Sequence, residues 1–349
     1  MRAVTFQAPG VVSVQERPEP RLREPGDAIV AVDASGICGS DLHILSGRVR
    51  IEPGFTLGHE FVGRVTQVAD GVTRVRPGDR VLGCFHTACG SCWHCIQAQY
   101  HKCERMRVFG HGEALGALQG TQAEAALVPM ADMTLRRVPD SLSDEAALFA
   151  GDVLATGLHA VSAAAVGLGD TVAVLGLGPV GLCAVQVALA AGARAVLAVD
   201  SVPSRLELSS RFGALAVDLN GQDPRERCLE LTGGRGADAV IDAVGSQDAL
   251  ELAIRLARKA GTVVAIGVYA ERCEVHMGLL WIKALTLHSG QANVIAHVDR
   301  AIELLASGRV DPSPLVTHRM ALEQAAEAYA IFARREALKI VLTPQRDLV

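Results

Sequence analysis

Residues 171–200, TVAVLGLGPVGLCAVQVALAAGARAVLAVD, decide the fold of this chain. The stretch opens with an apolar, partly β-branched run over 171–175, which is typical of a strand buried on both faces of a parallel sheet. GLGPVG at 176–181 then matches the pattern G-x-G-x-x-G at the point where a strand would turn into a helix. A helix over 180–191 and a second strand over 195–199 complete a predicted β-α-β unit.

The glycine pattern has a direct chemical use in such a unit. The first glycine permits a tight turn, the second lets the backbone approach a pyrophosphate, and the third lets the helix pack against the strand. The helix N-terminus then receives the phosphate charge. Asp200 ends the second strand 24 residues after Gly176, where an acid binds the adenosine ribose hydroxyls. The pattern predicts NAD rather than NADP, because a 2′-phosphate would meet the Asp200 carboxylate.

Two other interpretations of these residues stay open at this point. The run over 171–193 carries no charge and is long enough to cross a bilayer, but its turn glycines and Pro179 favour the core of a soluble α/β fold. Asp200 would alternatively cap the next helix. The residues that we expect at the cofactor are Gly176, Gly178, Pro179, Val180 and Gly181 in the loop, Asp200 and Arg205 near the ribose, and Val244 and Val268 after two later strands.

Composition and charge narrow the function classes. The chain has 349 residues, enough for two domains, and a net charge of −5 without a block of Lys or Arg that would mark a nucleic-acid or anionic-membrane surface. We therefore expect a small-molecule partner, with no nucleic acid and no membrane. The N-terminal MRAVTFQAPG lacks the apolar segment of a secretory signal, which makes the cytoplasm the expected compartment.

Four of the nine cysteines crowd into fifteen residues. Their spacing is C-x2-C-x2-C-x7-C, formed by Cys89, Cys92, Cys95 and Cys103. Four thiolates in one loop satisfy a closed tetrahedral zinc with no position left for chemistry, so the spacing predicts a structural zinc site. An iron–sulfur cluster is the other use of four cysteines. We expect surface positions for His86, His94 and His101, and buried apolar positions for Cys84, Cys183, Cys228 and Cys273.

A second group of metal-binding residue types lies upstream. CGSDLH at 38–43 places a thiol, a hydroxyl and an imidazole within six residues, and each of these alone is ordinary. GHE at 58–60 adds an imidazole and a carboxylate. Zinc binds all of these except the hydroxyl, and a catalytic zinc uses three protein ligands with one open position. Cys38 and His59 would supply two of the three.

The wider pattern around GHE is specific. G-H-E, two residues, Gly63, five residues, Ala69, two residues and Val72 resembles the signature of zinc-containing medium-chain alcohol dehydrogenases, in the medium-chain dehydrogenase/reductase superfamily. The match extends to CGSDLH before it and RPGDRV after it, and the resemblance covers essentially the whole chain. It implies zinc rather than an iron–sulfur cluster in the four-cysteine loop.

The resemblance also implies the third ligand of a catalytic zinc. The position that matches this third ligand is Asp152, which would otherwise cap the helix predicted over 153–165. The implied ligands are then Cys38, His59 and Asp152.

The chemistry implied by the resemblance is reversible hydride transfer between an alcohol and NAD, with zinc as the Lewis acid on the alcohol oxygen. Ser40 and His43 resemble the family's proton relay to solvent. Glu60 would maintain the electrostatics of the site or ligate zinc transiently, and we do not expect it to act as a general base. Ser40, His43 and Glu60 are therefore the expected catalytic residues.

The sequence leaves several substrates and two states of assembly open. Formaldehyde, polyol (sorbitol-type) and threonine-type dehydrogenases share much of the pattern. An alternative of another class is a non-catalytic NAD-binding protein with structural zinc only, although the fold requires neither Cys38 nor His59. A homodimer or homotetramer is expected, commonly with a contact at the last strand of the cofactor domain.

The expected fold is α/β, and the resemblance implies a Rossmann domain, a doubly wound parallel sheet, inserted in a mostly β, GroES-like catalytic domain. We expect residues 1–152 and 291–349 to form the catalytic zinc domain, and 153–290 to form the NAD-binding domain with about six parallel strands. The clearest predicted strands cover 28–32, 125–129, 171–175, 195–199, 239–243, 262–267 and 285–288, and the clearest predicted helices cover 153–165, 180–191, 204–212 and 247–259.

Overall fold

The computed structural model describes residues 1–344. Its strands, in chain order, are β1 (Arg2–Ala8), β2 (Val11–Glu16), β3 (Ala28–Ile37), β4 (Glu60–Val68), β5 (Arg80–Gly83), β6 (Ala125–Val128), β7 (Leu135–Arg137), β8 (Thr171–Leu175), β9 (Ala195–Asp200), β10 (Leu215–Asp218), β11 (Ala237–Asp242), β12 (Ala257–Ala265), β13 (Thr286–Ser289), β14 (Val316–Ala321) and β15 (Lys339–Thr343). Its α-helices are α1 (Asp41–Leu45), α2 (Trp93–Ile96), α3 (Ala131–Thr134), α4 (Asp144–Leu148), α5 (Val153–Ala163), α6 (Pro179–Ala190), α7 (Pro203–Arg211), α8 (Pro224–Thr232), α9 (Gln247–Leu256), α10 (Met277–Lys283), α11 (Val294–Ala306) and α12 (Ala325–Ala333).

One compact unit spans Thr156–Ala292 and contains the predicted parallel sheet. Its six strands lie in the order β10-β9-β8-β11-β12-β13, and every neighbouring pair is parallel. This is the doubly wound order of a Rossmann fold, in which the strand order reverses between β8 and β11. A ligand binds at the carboxyl ends of the strands on either side of such a reversal. Every residue of β8 is buried, as the apolar run predicts.

The glycines after β8 have steric reasons. Gly176 has a φ of +83°, which residues with a β-carbon rarely adopt. A β-carbon on Gly181 would overlap the carbonyl oxygen of Gly176. Gly178 is the N-cap of α6 and Pro179 is its first residue, a position that proline favours. The motif therefore turns the chain sharply and presents the N-terminus of α6 at the carboxyl edge of the sheet.

The other unit comprises Met1–Ala155 and the segment that begins at Asn293. It is mostly β: β1 and β2 form an antiparallel pair, and a seven-stranded sheet has the order β14-β15-β3-β4-β5-β7, with β6 also paired to β3. Because β14 and β15 come from the C-terminal segment, the chain returns to this sheet after completing the parallel one. The predicted boundaries, after residues 152 and 290, stay a prediction.

Strand β3 separates two hydrophobic clusters of this unit. Ala28, Val30 and Val32 alternate into one cluster, as a period of two requires. The register with β4 shifts between Val32 and Ala34, and such a shift reverses which residues face each side. Ile37, at the end of the strand, accordingly lies in the other cluster. The shift thus fixes the direction in which the chain leaves β3 towards residue 38.

Some elements differ from the sequence predictions. The helix predicted over 247–259 ends at Leu256, because Ala257 pairs with Ala237 and begins β12. Sheet pairing thus overrides the helical propensity of this short stretch. Strand β10 and helices α8 and α10 were not predicted, since β10 has only four residues and α8 is highly charged. The N-cap of α4 is Ser143, whose side chain accepts a hydrogen bond from the Ala146 N–H.

Within residues 1–344, no single helix is both long and apolar enough to cross a membrane. Asp144–Gly151 and Val153–Ala163 meet that length and composition together, as a pair bent by 45°.

Candidate active site and metal centres

Cys38, His59, Glu60 and Asp152 each bring a ligand atom into one cluster, although they are far apart in the sequence. These four atoms lie within 4.8 Å of one another. Asp152 Oδ2 lies 3.5 Å from Cys38 Sγ and 3.3 Å from His59 Nε2. A thiol, an imidazole and two carboxylates are ligand types that zinc binds. Both the geometry and the donor set of this cluster therefore fit zinc.

Paired strands place most of this cluster. Cys38 directly follows β3 and His59 directly precedes β4, and the two strands pair with Gly36 opposite Glu60. A β-carbon on Gly36 would overlap the Glu60 carboxylate, so glycine here makes room for that side chain. Asp152 joins the cluster from the short turn between α4 and α5. The cluster thus forms only when distant segments of the sheet and the α4–α5 turn have assembled.

Asp41 is a carboxylate of this site that sequence reasoning missed. It is fully buried, and its Oδ2 accepts a hydrogen bond from the Cys38 N–H at 2.9 Å. Its Oδ1 lies 3.3 Å from His59 Nδ1, so the other ring nitrogen, Nε2, faces the remaining ligands. A carboxylate behind a metal-binding histidine orients the ring and raises its basicity. The only sequence signal for Asp41 is its place within CGSDLH.

Glu60 forms a buried ion pair with Lys339 on β15. Lys339 Nζ donates to both carboxylate oxygens of Glu60, at 2.6 and 2.7 Å, and to the Ile37 carbonyl at 3.2 Å. The side chains of Lys339 and Glu60 are 1% and 0% exposed. Burial disfavours the ammonium, but the Glu60 and Cys38 charges and the Glu60 hydrogen bonds together offset burial and raise the pKa of Lys339. No motif marks Lys339 in the sequence, because it reaches the site only through the pairing of β15 with β3.

The charges of the cluster favour a cation at its centre. Burial opposes a charged His59, yet the Asp41 charge and the Asp152 hydrogen bond raise the pKa of His59 well above its usual range. Burial likewise opposes ionisation of Asp152, but the hydrogen bond and charge of His59 lower its pKa to about 2. Burial and then the Asp152 charge raise the pKa of Cys38. A divalent cation would supply the positive charge that these groups share and would stabilise the Cys38 thiolate.

Ser40 and His43 lie at the start of α1. Ser40 Oγ is 3.4 Å from His59 Nε2, which places the hydroxyl at the ligand cluster. His43 is half-buried within α1, and burial and the Arg48 charge lower its pKa. A pKa below the usual value of about 6.5 leaves the imidazole neutral near pH 7, and a neutral imidazole is able to accept a proton.

His111 is a second imidazole at this cluster that the sequence did not single out. Its ring packs edge-on against His59, with 5.1 Å between ring centroids. Its Nδ1 lies 2.8 Å from the carbonyl oxygen of Phe109. Because a carbonyl oxygen only accepts, Nδ1 carries the proton and Nε2 of the neutral ring is an acceptor. Burial and then the His59 charge lower the pKa of His111, which favours this neutral form.

The four cysteines of the loop that contains α2 form a second cluster. The ligand atoms of Cys89, Cys92, Cys95 and Cys103 also lie within 4.8 Å of one another. Main-chain N–H groups surround two of the sulfurs. Ser91 and Cys92 donate to Cys89 Sγ at 3.4 and 3.3 Å. Cys89 and Arg105 donate to Cys103 Sγ at 3.2 and 3.3 Å.

These amides change the acidity of the first thiol. Burial opposes ionisation of Cys89, but hydrogen bonds from Ser91 and Cys92 lower its pKa to about 5. Four sulfurs, at least one already stabilised as a thiolate, are the donor set of a closed tetrahedral zinc site.

Asp200 ends β9 at the carboxyl edge of the parallel sheet. Its Oδ2 accepts from the Leu177 N–H at 2.6 Å, in the glycine loop. Its Oδ1 accepts from the N–H groups of Ser201 and Val202 at 2.7 and 2.9 Å, just before α7. A carboxylate has about four acceptor positions, so about one remains. Asp200 therefore both orders the start of α7 and keeps a negative charge beside the glycine loop, with Arg205 Nη1 3.8 Å from Oδ2.

Val244 and Val268 follow β11 and β12 at the same edge of the sheet. Their side chains are 49% and 55% exposed. Exposed apolar side chains at this edge suit the flat ring of a cofactor, because ligand sites are lined mainly by apolar groups. Val180, in the first turn of α6, is also partly exposed there.

Two predictions about other residues are wrong. His86 is not on the surface but fully buried; its Nδ1 lies 3.3 Å from the Thr87 carbonyl, and burial lowers its pKa to about 4. Cys273 is partly exposed in the loop after β12, where its Sγ lies 3.7 Å from the Glu271 carbonyl. The remaining cysteines of that group are buried as predicted: Cys84, Cys183 and Cys228.

The fold and the two clusters define a class: a zinc-dependent oxidoreductase that uses a nicotinamide dinucleotide and acts on alcohols. Comparison with known proteins agrees with this class. The family model for the alcohol dehydrogenase GroES-like domain matches residues 24–140, and the model for zinc-binding dehydrogenases matches residues 179–307.

Individual relatives match over nearly the whole chain. Zinc-type alcohol dehydrogenase B of Aspergillus flavus is 36% identical, over 98% of this chain and 81% of that protein. The structure of alcohol dehydrogenase TADH from Thermus sp. ATN1 is 44% identical, over 99% of this chain and 100% of that chain, with a TM-score of 0.96. The chain therefore belongs to the zinc-containing medium-chain alcohol dehydrogenase family.

Two further structures hold a cofactor. A zinc-binding dehydrogenase from Sinorhizobium meliloti 1021, bound to NADP, is 31% identical with a TM-score of 0.87, over 98% of this chain and 99% of that chain. An alcohol dehydrogenase (RspB) from E. coli CFT073, complexed with NADH, is 29% identical with a TM-score of 0.87, over 98% of this chain and 99% of that chain. Relatives of similar likeness thus carry either dinucleotide.

Proposed function

We propose that this enzyme oxidises an alcohol to an aldehyde or ketone with NAD, reversibly, at the cluster of Cys38, His59 and Asp152. The observation that carries the proposal is the convergence of these ligand atoms, with Glu60, within 4.8 Å. The four-cysteine cluster is assigned to a structural zinc, because it offers four protein ligands and leaves no position for substrate.

Cys38, His59 and Asp152 would hold the catalytic zinc, and when bound the metal supplies a Lewis acid for the alcohol oxygen. Ser40, whose Oγ is 3.4 Å from His59 Nε2, would accept the alcohol proton, and His43, whose pKa is lowered, would pass a proton on towards solvent. Glu60 is held by Lys339, so we assign it to the electrostatics of the site rather than to proton transfer.

A substrate panel tests this function. Zinc-loaded enzyme is given NAD with primary, secondary, polyol and amino-alcohol substrates and with formaldehyde, and formation of NADH is followed. At least one substrate is expected to turn over at roughly 1 to 1,000 per second. Metal analysis of the same sample is expected to give about two zinc ions per chain, one for each cluster.

The alternative is a non-catalytic NAD-binding protein with structural zinc only. It would show one zinc per chain and no NADH formation with any member of the panel. That combined result would refute the proposed function. If no substrate gives NADH but two zinc ions are bound, the panel did not contain the substrate.

We propose NAD rather than NADP as the cofactor. Asp200 keeps a carboxylate charge beside the glycine loop, and a 2′-phosphate would meet that charge. A like-charge contact costs several kcal/mol, so kcat/KM is expected to favour NAD by at least roughly a hundredfold. Asp200→Gly should lower kcat/KM for NAD and raise it for NADP, since Arg205 would then be free to bind the phosphate.

The matched control is Asp218→Gly, because Asp218 ends the neighbouring strand β10. It should leave the cofactor ratio unchanged. A parent enzyme that prefers NADP would overturn the assignment.

We also propose that two copies pair through the open edge of the parallel sheet, as a dimer or within a tetramer. In the described part of the chain, β13 pairs only with β12, and an unpaired strand edge is a template for another chain. Helix α10 precedes it and exposes Met277, Trp281 and Ile282 at 66%, 80% and 64%. Sedimentation should show an oligomer that Trp281→Glu weakens, whereas Leu168→Glu, at a residue 91% exposed elsewhere in the same unit, should not.

The expected compartment is the cytoplasm. The two clusters need their thiols reduced, and none of the cysteines in the described part of the chain forms a disulfide. Fractionation of cells that express a tagged full chain tests this, and recovery from a secreted fraction would contradict it.

A further inference from the structure

Asp242 joins the two loops that carry Val244 and Val268. It ends β11, is fully buried, and its Oδ1 accepts hydrogen bonds from the N–H groups of Val244 and Gly245 at 2.8 and 3.2 Å. Its main-chain carbonyl accepts from Ile266 and Gly267, each at 2.9 Å. One residue thus fixes the start of the loop after β11 and the start of the loop after β12.

The second carboxylate oxygen is used by Tyr269. The Tyr269 hydroxyl donates a hydrogen bond to Asp242 Oδ2. Its ring is half-buried against the cluster that contains Leu250, Ile254 and Ala265. Burial and then the Asp242 hydrogen bond raise the pKa of Tyr269, so the hydroxyl keeps its proton and remains a donor.

The two loops touch at glycines. Gly245 has a φ of +81°, and a β-carbon on Gly267 would overlap the Gly245 main chain. Beyond Gly267 the chain loses this support, because neither Val268 nor Tyr269 makes a main-chain hydrogen bond within the described residues. The hydrogen bond of the Tyr269 side chain therefore holds the chain in place directly after Val268.

We propose that Tyr269 is a positioning residue for the cofactor: its hydroxyl, bound to Asp242, holds Val268 at a fixed separation from Val244 so that the two side chains receive the cofactor's ring. The proposal rests on the proposed function, which places the dinucleotide at this edge. Tyr269 contacts no reacting atom in this scheme and acts through Val268. Without the hydroxyl, the segment after Gly267 has more conformations, and cofactor binding must select one of them.

Tyr269→Phe tests the proposal, because it removes the hydroxyl and keeps the ring. The dissociation constant for NADH, measured by its fluorescence in the zinc-loaded enzyme, is expected to rise roughly threefold to tenfold. KM for NAD should rise similarly, while KM for the alcohol and the melting temperature change little. The matched control is Glu271→Gln, at an exposed position of the same loop, which should leave NADH affinity unchanged.

A double-mutant cycle separates positioning from general stabilisation. If Tyr269 acts through Val268, loss of the hydroxyl should change NADH affinity by less than about twofold in the Val268→Ala background. A structural role would lower the melting temperature equally in both backgrounds. Unchanged NADH affinity in Tyr269→Phe would refute the positioning role. A parent enzyme that binds no dinucleotide would instead refute the proposed function.

Discussion

The four-cysteine cluster comes from fifteen consecutive residues, whereas the cluster proposed as catalytic is assembled from positions 38, 59, 60 and 152. The surroundings differ in the same way. Main-chain N–H groups donate hydrogen bonds to the sulfur atoms of Cys89 and Cys103. Side chains from distant segments, Asp41 and Lys339, support His59 and Glu60. A local metal site thus carries its own supporting groups in the backbone, and a distributed site depends on the rest of the fold.

The largest contrast between the two sites should come from their ligands. Cys38→Ser should lower turnover by at least about a thousandfold, because the Lewis acid supplies several kcal/mol to the reaction. The melting temperature should change little, since β3 and β4 remain paired. Cys103→Ser should chiefly lower the melting temperature, because a structural zinc contributes folding free energy. Steady-state kinetics, metal content and thermal melts of both variants measure this contrast. Full activity in Cys38→Ser would exclude it as a catalytic ligand.

This contrast also explains what the sequence could predict. The spacing of the four cysteines from Cys89 to Cys103 is enough to predict their cluster, because the four sulfurs and the amide groups that donate to them lie in one loop. The β-α-β unit that contains the glycine loop and Asp200 was also predictable from the sequence, because its elements are consecutive, whereas the role of these residues at the cofactor stays a prediction. Family resemblance was needed for Asp152, whose position alone indicates a helix cap.

The residues that the sequence missed are those placed by tertiary structure. Lys339 reaches Glu60 through strand pairing over a separation of 279 residues, and no local pattern records that pairing. His111 lies in a Gly-rich stretch without a motif and reaches His59 only by packing. The surface position predicted for His86 followed from the complete set of four sulfurs beside it, and the burial of His86 is likewise a tertiary effect.

Lys339→Met should be the most damaging change at a residue that does not bind metal. It leaves the Glu60 carboxylate buried without a partner, which costs about 3 to 5 kcal/mol of the free energy of unfolding. Urea denaturation of the parent and the variant measures this loss. Adding Glu60→Gln should recover part of the stability, because the unpaired charge is gone. If the single variant matches the parent in stability, the ion pair does not support the site.

Asp41→Asn should weaken the catalytic site alone. The amide keeps an acceptor for the Cys38 N–H but removes the charge behind His59, and loss of such a partner typically lowers metal affinity by about 10-fold to 100-fold. Competition with a chelator, followed through activity, reports this affinity. Asp132→Asn is the matched control, since Asp132 also accepts main-chain amides, from Thr73 and Arg74, away from both clusters. Equal zinc loss in both variants would mean that Asp41 has no specific role.

Ser91→Ala should have the smallest effect. Ser91 contacts Cys89 Sγ twice, through its hydroxyl at 3.6 Å and its main-chain N–H at 3.4 Å. Alanine removes only the longer contact, and the N–H groups of residue 91 and Cys92 still donate to the sulfur. Zinc affinity of the four-cysteine cluster should therefore fall by less than about threefold, well below the loss caused by removing a supporting side chain at the catalytic site. Chelator competition followed by thermal melting measures it. A tenfold loss would show that the side chain, and not the backbone, stabilises the Cys89 thiolate, and the contrast between the two sites would then fail.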